Sequence, residues 1–256
     1  MTVFRYDKTF EGLLSAVFDA YSRKIFPEKL IGENDTLPLF AEEAAGVVTQ
    51  PDKSARVWAA LEKKLSKTAL NMLWAVWLSE TEDSDNLLFR YICKTFDSKT
   101  SVETNFNDSD VLKSSQIAKM VNREAEYIRQ FARFQKAADN MYFAPIAPKC
   151  NALPFAVEYF TERFADQQWL VYDMKRKYGF YYDLKTVVEI TLDDAGDHLL
   201  TGKLDESLMA EDEKLFQKLW QGYFKSLTIK ERINPKLHRQ NLPVRFWKYL
   251  TEKGTL

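Results

Sequence analysis

The residues best suited to chemistry are the cations and aromatic rings of the C-terminal segment, defined here as residues 225–253. This segment holds eight Lys or Arg residues against two Glu residues, a local net charge of +6, whereas the chain of 256 residues has a formal net charge of −1. Phe246, Trp247 and Tyr249 lie among these cations. Positive charge attracts a phosphate backbone, and aromatic rings can stack on exposed bases. The segment therefore predicts a nucleic-acid surface, although solvated cations at the end of a helical element would have the same composition.

We assign the predicted binding to six residues of this segment. Five of its eight cations, which are named at the end of this paragraph, would contact phosphates. Trp247 or Phe246 would stack on a base. Arg245 and Lys248 lie three residues apart and can share a helical face, which suits a pair of phosphate contacts and equally suits two solvated cations. Trp247 has a structural alternative, in which the indole anchors the C-terminus to the core. The predicted nucleic-acid-binding residues are Arg232, Lys236, Arg239, Arg245, Trp247 and Lys248.

Glu124 is the carboxylate whose position requires an explanation. It falls in the middle of the apolar stripe of a helix predicted over residues 110–131, at about 100° per residue. A carboxylate on a buried face costs free energy unless it is paired or hydrogen-bonded. We therefore expect either an ion pair with an Arg from another element or, as the alternative, a catalytic acid that positions water. The stripe consists of Ile117, Met120, Val121 and Ile128.

No further motif in the sequence indicates catalysis or a cofactor. His198 lies beside an acidic turn and His238 lies in the C-terminal segment, and neither has a second His or Cys at the spacing of metal ligands. The sequence has no Gly-rich phosphate loop, nucleophile elbow or zinc-protease motif. Cys93 and Cys150 form no C-x-x-C pair, which argues against a disulfide scaffold, a zinc ribbon or an iron–sulfur cluster. We predict no metal and no cofactor, and a reduced, packed thiol at each Cys.

The apolar periodicity predicts the elements that must position these residues. An N-terminal strand leads into a helix capped by Thr9, and an irregular connection over residues 27–52 follows. Further helices are predicted over residues 53–65, 67–79, 84–97, 110–131, 153–164 and 211–224. A hairpin is predicted over residues 131–136 and 141–146, and strands over 169–174, 179–183 and 186–192. This order predicts an α+β fold, in which a mainly antiparallel sheet at about residues 131–192 is flanked by helices from both halves.

Length and composition set the organisation of the chain. A chain of 256 residues with 46% hydrophobic residues can bury a substantial core. The polar residues 99–108 mark a boundary, so we expect one family unit over residues 1–256, with a possible subdivision into a mainly helical part at 1–106 and an α+β part at 107–256. The sequence has no long apolar run, and its N-terminus lacks the apolar centre of a signal peptide. We expect a cytoplasmic protein that does not contact a membrane.

Several segments of the sequence resemble one bacterial family, and together they span nearly the whole chain. The most specific are Arg232-x-Asn-Pro-Lys-Leu237 and Leu242-Pro-x-Arg-Phe-Trp-Lys-Tyr-Leu250. The others include Val121-x-Arg-Glu-Ala125, Leu219-Trp-x-x-Tyr-Phe224 and Tyr6-Asp-x-Thr-Phe-x-Gly-Leu-Leu14. The family that they resemble contains a DUF4130-type domain of unknown function and is associated with DNA metabolism and repair. Glu124 and the C-terminal segment lie inside the resembling motifs.

The resemblance implies a partner rather than a catalytic residue. Members of the family occur together with a radical-SAM protein that looks like a DNA-lesion lyase. This chain has no C-x-x-x-C-x-x-C motif, so any radical chemistry would belong to that partner. Our leading hypothesis is a DNA-repair accessory protein that binds DNA through the C-terminal segment and works with the radical-SAM protein. The alternatives are a base-excision or nuclease-like enzyme that uses Glu124, and a protein–protein interaction module without DNA binding, so the residues leave an enzymatic function open.

Overall fold

A computed structural model describes residues 1–39, 41, 43–192, 204 and 207–253. The chain divides into two compact units, residues 1–121 (unit 1) and residues 122–256 (unit 2). It combines helices with two separate sheets, which confirms the α+β class. The subdivision at residue 106 stays a prediction, and His198 with its acidic turn lies outside the described residues. Within the described part of the chain, no helix has the length and apolar character needed to span a membrane.

Unit 1 combines a three-stranded parallel sheet with helices. The central strand β1 (Thr2–Tyr6) pairs on one side with β2 (Lys29–Gly32) and on the other with β3 (Glu43–Gly46). The prediction of an irregular connection over residues 27–52 was wrong for β2 and β3, because these short strands are fixed by pairing with β1 rather than by a periodicity of their own. The helices are α1 (Phe10–Arg23), α2 (Pro51–Lys64), α3 (Lys67–Leu78), α4 (Ser84–Asp97) and α5 (Ser109–Phe131), which continues into unit 2.

The start of α1 shows why the helices of unit 1 form where the sequence predicts them. The Thr9 hydroxyl accepts a hydrogen bond of 2.9 Å from the Gly12 backbone N–H, which satisfies one of the free donors of the first turn. Phe10, Leu13 and Val17 then recur on one face and are buried in the core of the unit. Burial of that face stabilises the helix, so cap and periodicity together fix α1.

Buried carboxylates of unit 1 are paired with cations. Asp19 on α1 accepts hydrogen bonds from Arg23 at 2.8 Å and from Lys53 at 2.6 Å. Asp85 on α4 accepts from the Tyr6 hydroxyl at 2.9 Å and from Lys8 at 2.6 Å. These contacts offset the free energy of burying each charge.

Unit 2 contains a five-stranded sheet in the order β4-β5-β6-β7-β8. The strands are β4 (Gln135–Lys136), β5 (Tyr142–Ile146), β6 (Trp169–Asp173), β7 (Tyr178–Tyr182) and β8 (Val187–Ile190). Three of its pairings are antiparallel, which confirms the mainly antiparallel sheet, whereas β5 and β6 are parallel. The connection from β5 to β6 contains a 3-10 helix (Leu153–Phe155) and α6 (Val157–Arg163). Parallel neighbours require such a crossover, which a hairpin cannot supply.

The remainder of unit 2 is helical. It consists of α7 (Glu213–Leu227), a 3-10 helix at Lys230–Arg232, α8 (Pro235–Asn241) and a second 3-10 helix at Val244–Tyr249. Asn234, which the sequence marks as a turn, caps α8, because its side-chain oxygen accepts a hydrogen bond of 3.0 Å from the Leu237 N–H. The predicted break at Leu242-Pro243 separates α8 from the second 3-10 helix.

The apolar face of α7 is exposed. Leu215 and Leu219 are both 58% exposed and Tyr223 is 55% exposed. The helix is held instead by polar contacts, because Trp220 Nε1 donates to Glu252 at 3.0 Å and Gln221 donates to the Thr251 carbonyl at 2.9 Å. Its hydrophobic periodicity therefore does not correspond to a buried face within unit 2.

Candidate nucleic-acid interface

Glu124 and Arg245 form the ion pair that fastens the C-terminal segment to α5. Glu124 is 4% exposed, and Arg245 donates to its carboxylate with both Nε, at 3.1 Å from Oε1, and Nη2, which contacts Oε2. The Lys149 backbone N–H donates a further hydrogen bond of 2.7 Å to Oε1. A bidentate guanidinium and a backbone N–H satisfy a buried carboxylate well. The expectation of an Arg partner from another element is confirmed.

This pairing limits what either residue can do for a ligand. The Arg245 guanidinium also lies 5.7 Å from the Tyr127 ring centroid and 4.9 Å from that of Phe246, and its side chain is 35% exposed. Two of its five N–H donors are therefore used to hold the fold. The Glu124 oxygens already accept three hydrogen bonds, which leaves little capacity to activate water. The phosphate contact of Arg245 and the catalytic role of Glu124 stay predictions.

Glu252 forms a second anchor of the C-terminal segment. Its carboxylate accepts hydrogen bonds from Arg133 at 2.8 Å and from Trp220 at 3.0 Å, and the residue is 7% exposed. Burial alone would raise the pKa of Glu252, but the hydrogen bond and the charge of Arg133 hold that pKa below its ordinary value. The carboxylate is therefore ionised at neutral pH and holds the segment against the end of α5 and against α7.

Trp247 is engaged in contacts within the C-terminal segment. Its Nε1 donates to the Leu242 carbonyl at 3.0 Å, and its ring centroid lies 5.6 Å from that of His238. The Lys253 ammonium lies 4.9 Å from the indole centroid. None of these three contacts joins the indole to the core, so the anchor to the core and the stacking on a base both stay predictions.

The other predicted cations are exposed. The side chains of Arg232, Lys236 and Arg239 form no hydrogen bond or ion pair with any residue that the structure describes. Lys236 and Arg239 lie three positions apart on α8, so they are neighbours on its surface. Lys248 is also exposed, with its ammonium 4.5 Å from the Tyr249 ring centroid. The predicted set thus divides into Arg245 and Trp247, whose side chains are engaged in hydrogen bonds, and four exposed cations.

Sequence reasoning missed a groove beside these cations, which we call the C-terminal groove. It has a volume of about 1020 Å³. Its lining comes from the C-terminal ends of α5 and α7, from α8 and from Trp247. Ile229, Ile233 and Leu237 belong to its wall. They recur every fourth residue between the cations, and this period is the signal that would have indicated an apolar surface there.

Metal-ligand clusters and disulfides are both absent among the residues that the structure describes. No three His, Cys, Asp or Glu side chains in the described part of the chain are arranged to hold a metal ion. Cys93 and Cys150 are buried and are not joined in a disulfide.

Comparison with known proteins identifies a family. The model of a domain of unknown function, DUF4130, matches residues 82–252, which is more than half of the chain. No curated protein matches the sequence. Among solved structures, a pGpG-specific phosphodiesterase from Vibrio cholerae is 12% identical, with 88% of this chain and 98% of that chain covered and a TM-score of 0.31. A TM-score this low supports neither a shared fold nor a shared activity.

Proposed function

The chain belongs to the DUF4130 family, and we propose that it is a DNA-associated accessory protein. In this proposal the C-terminal segment binds nucleic acid, and the protein works with a radical-SAM partner that carries out the chemistry. The observation that supports binding most strongly is the group of exposed cations that have no carboxylate partner among the described residues, Arg232, Lys236 and Arg239. The partner rests on the resemblance of the sequence motifs described above.

The state of these cations matters because phosphate binding competes with ion pairs inside the protein. Lys94 on α4, for example, is held by Asp108 at 2.7 Å and by Asp110 at 2.7 Å. The carboxylates in such a pair neutralise the cation locally, so it attracts an anionic ligand only weakly. An exposed cation without a carboxylate can displace a counterion from a nucleic-acid backbone, which is the main source of sequence-independent affinity. As far as the described residues show, the C-terminal segment holds three such cations within eight residues, 232–239.

Fluorescence anisotropy with labelled single-stranded and duplex DNA tests this function. The variant carries Arg232→Ala, Lys236→Ala and Arg239→Ala. Its control carries Lys63→Ala, Lys67→Ala and Lys113→Ala, three exposed lysines of unit 1, so both proteins lose the same charge. We expect the first variant to lose most of the affinity and the control to retain it. Equal losses would assign binding to net charge alone, and no binding by the wild type would overturn the proposal.

The exposed face of α7 favours a second candidate function, a protein–protein interaction module. Leu215, Phe216 and Leu219 are each at least 57% exposed on one helix. An apolar helix face of this kind is typical of a surface that a partner protein covers. The proposed occupant is the radical-SAM protein, which would then be held by α7 while the C-terminal segment holds DNA.

Co-purification with the radical-SAM protein tests the second candidate. Leu219→Lys places a charge in the apolar face, and Lys218→Ala is the control on the polar side of the same helix. We expect Leu219→Lys to abolish co-purification while DNA binding is unchanged. Retention of the partner by Leu219→Lys would exclude the α7 face as its binding surface.

A further inference from the structure

The C-terminal groove is a concave site beside the exposed cations. Its volume of about 1020 Å³ lies at the upper end of the range for sites that bind small molecules. The end of α5 contributes Gln130 and Phe131, and the end of α7 contributes Phe224 and Leu227. Residues 228–242, with α8, form the opposite side, and all of these residues belong to unit 2.

The wall of the groove is apolar and exposed. Ile229 is 51% exposed, Ile233 60% and Leu237 51%, and on α7 Leu227 is 61% and Phe224 37% exposed. Large apolar side chains scattered singly on a surface need no explanation, whereas a contiguous set indicates a binding site. A ligand that covers these side chains removes their apolar area from water. The ligand must therefore present an apolar face to the groove.

The charge at the groove requires that the same ligand also be anionic. Arg232, Arg239 and Lys253 are among its lining residues, and none of the described residues that line it is an Asp or Glu. Lys253 lies against the Phe224 and Trp247 rings, whereas Arg232 and Arg239 have no partner among the described residues. The guanidinium groups of these two residues suit the geometry of a phosphate.

Polar side chains that line the groove can recognise a planar, hydrogen-bonding ligand. His238 Nε2 is buried and has no hydrogen-bond partner among the described residues. Burial, and then the charge of Lys253, lower the pKa of His238 below its ordinary value of 6.5, so the imidazole is neutral at neutral pH. The side-chain amides of Gln130 and Asn241 also line the groove and form no hydrogen bond with a described residue. Gln130 and Asn241 are exposed, so a ligand in the groove can reach their amides, whereas a buried polar atom such as His238 Nε2 is usually satisfied by water or by a ligand.

We propose that the C-terminal groove binds an unpaired nucleotide, with the base against the apolar wall and its phosphates on Arg232 and Arg239. A base and a phosphate combine the three properties that the groove requires: a flat apolar face, a hydrogen-bonding edge and negative charge. In a duplex the base faces are stacked and the pairing edges are occupied, so only an unpaired nucleotide can enter. The inference rests on the proposed function and adds that the nucleic acid bound is single-stranded.

An abasic strand distinguishes this inference from binding by charge alone. The probes are a labelled deoxythymidine strand, an abasic strand of the same length and a blunt duplex, compared by anisotropy with the full chain. The two strands carry the same phosphates, and they differ only in the bases. We expect the deoxythymidine strand to bind at least about fivefold more tightly than the abasic strand, because stacking of a base on a protein surface contributes that much or more. The affinity for the duplex, whose bases are paired and cannot enter the groove, should not depend on the groove residues.

Matched variants assign that preference to the groove. Leu237→Ala shortens the wall and Phe224→Leu removes an aromatic ring, and both residues are exposed, so the fold should be retained. Val244→Ala is the control, an apolar residue of the same segment that is 57% exposed and does not line the groove. We expect the two groove variants to lose the preference for the deoxythymidine strand and the control to keep it.

Each other outcome overturns the inference in a distinguishable way. Equal, salt-dependent binding of all three probes would leave the proposed function intact and exclude the groove as a nucleotide site. No binding to any probe would overturn both proposals. Binding of an acidic amphipathic peptide instead of the strand, with loss in Leu237→Ala, would make the groove a peptide site.

Discussion

In unit 1, carboxylates and cations occur together: Asp19 holds Arg23 and Lys53, and Lys94 is shared by Asp108 and Asp110. In the C-terminal segment, Arg245 is paired with a carboxylate, whereas Arg232 and Arg239 are paired with none in the part of the chain that the structure describes. Both regions contain many charges, but the unit 1 cations named here are paired within the fold, whereas these two arginines have no partner among the described residues. Charge alone therefore does not locate a binding surface, and the pairing of each cation has to be known.

The same contrast holds for two amphipathic helices. On α1, Leu13 and Val17 are 0% exposed and belong to the core, whereas on α7, Leu215 and Leu219 are 58% exposed. The apolar spacing is similar in both. An apolar stripe thus indicates a face to be covered, and the covering element can be the protein itself or, as we propose for α7, a partner.

Truncation of one leucine on each helix should give the largest difference among these predictions, measured as the change in the free energy of unfolding. Leu13→Ala leaves a cavity in a fully buried site and should lower the free energy of unfolding by about 2–5 kcal/mol. Leu219→Ala should change it by about 0.5 kcal/mol or less, since the side chain is exposed. Urea denaturation followed by circular dichroism measures both. A comparable loss in Leu219→Ala would mean that the α7 face is buried in the protein in solution.

Removal of a paired carboxylate should show which contact fastens the C-terminal segment. Glu124→Ala leaves the Lys149 N–H and Arg245 without their acceptor and should cost about 3 kcal/mol. Glu126→Ala is the control on the same helix, because Glu126 is an exposed partner of Arg129 and such pairs contribute about 1 kcal/mol or less. Hydrogen exchange of residues 245–253 should increase only in Glu124→Ala.

The conservative variant Glu124→Gln tests the catalytic hypothesis at the same position. We expect it to loosen the C-terminal segment, since a neutral amide cannot replace the ion pair with Arg245. Product formation on damaged DNA by the wild type, lost in a Glu124→Gln protein whose exchange and stability are unchanged, would support catalysis instead of a structural role.

Two arginines of the C-terminal segment should respond differently to the same substitution. Arg245→Ala removes the partner of Glu124 and should lower stability, whereas Arg239→Ala should leave the melting temperature unchanged. In DNA binding, Arg239→Ala should reduce the slope of log K against log salt by about 0.9, the contribution of one phosphate contact. Thermal melting and anisotropy across a salt series separate the two effects. A stability loss in Arg239→Ala would mean that this residue also supports the fold.

Lowering the pH should reduce the stability of the C-terminal segment and of unit 1 in different pH ranges. We expect this effect to be the smallest of those predicted here. The pKa of His238 is lowered in the folded protein, so the unfolded chain binds more protons below pH 6.5 and the stability of the C-terminal segment falls as pH drops below that value. The hydrogen bond from Lys94 lowers the pKa of Asp108, so its contribution to unit 1 is present above pH 3.8 and is lost below it. Hydrogen exchange across this range measures both. His238→Gln should remove only the first step.

Much of the fold follows from local sequence signals, whereas the contacts that complete it do not. The Thr9 cap and the apolar period predict α1, and the position of Glu124 in an apolar stripe predicts a buried acid with a partner from another element. The strands β2 and β3 could not be predicted in this way, because their stability comes from pairing with β1. The identity of Arg245 as the partner of Glu124 could not be predicted either, since the sequence gives the charge of a side chain but not its tertiary neighbour.

The most direct test is the salt dependence of DNA binding in the Arg232, Lys236 and Arg239 triple alanine variant. If these cations contact phosphates, wild-type affinity falls steeply with salt, and the variant has a slope that is shallower by about 2–3 units while its melting temperature is unchanged. A wild-type affinity that does not change with salt, or a variant with the wild-type slope, would contradict binding through the C-terminal segment.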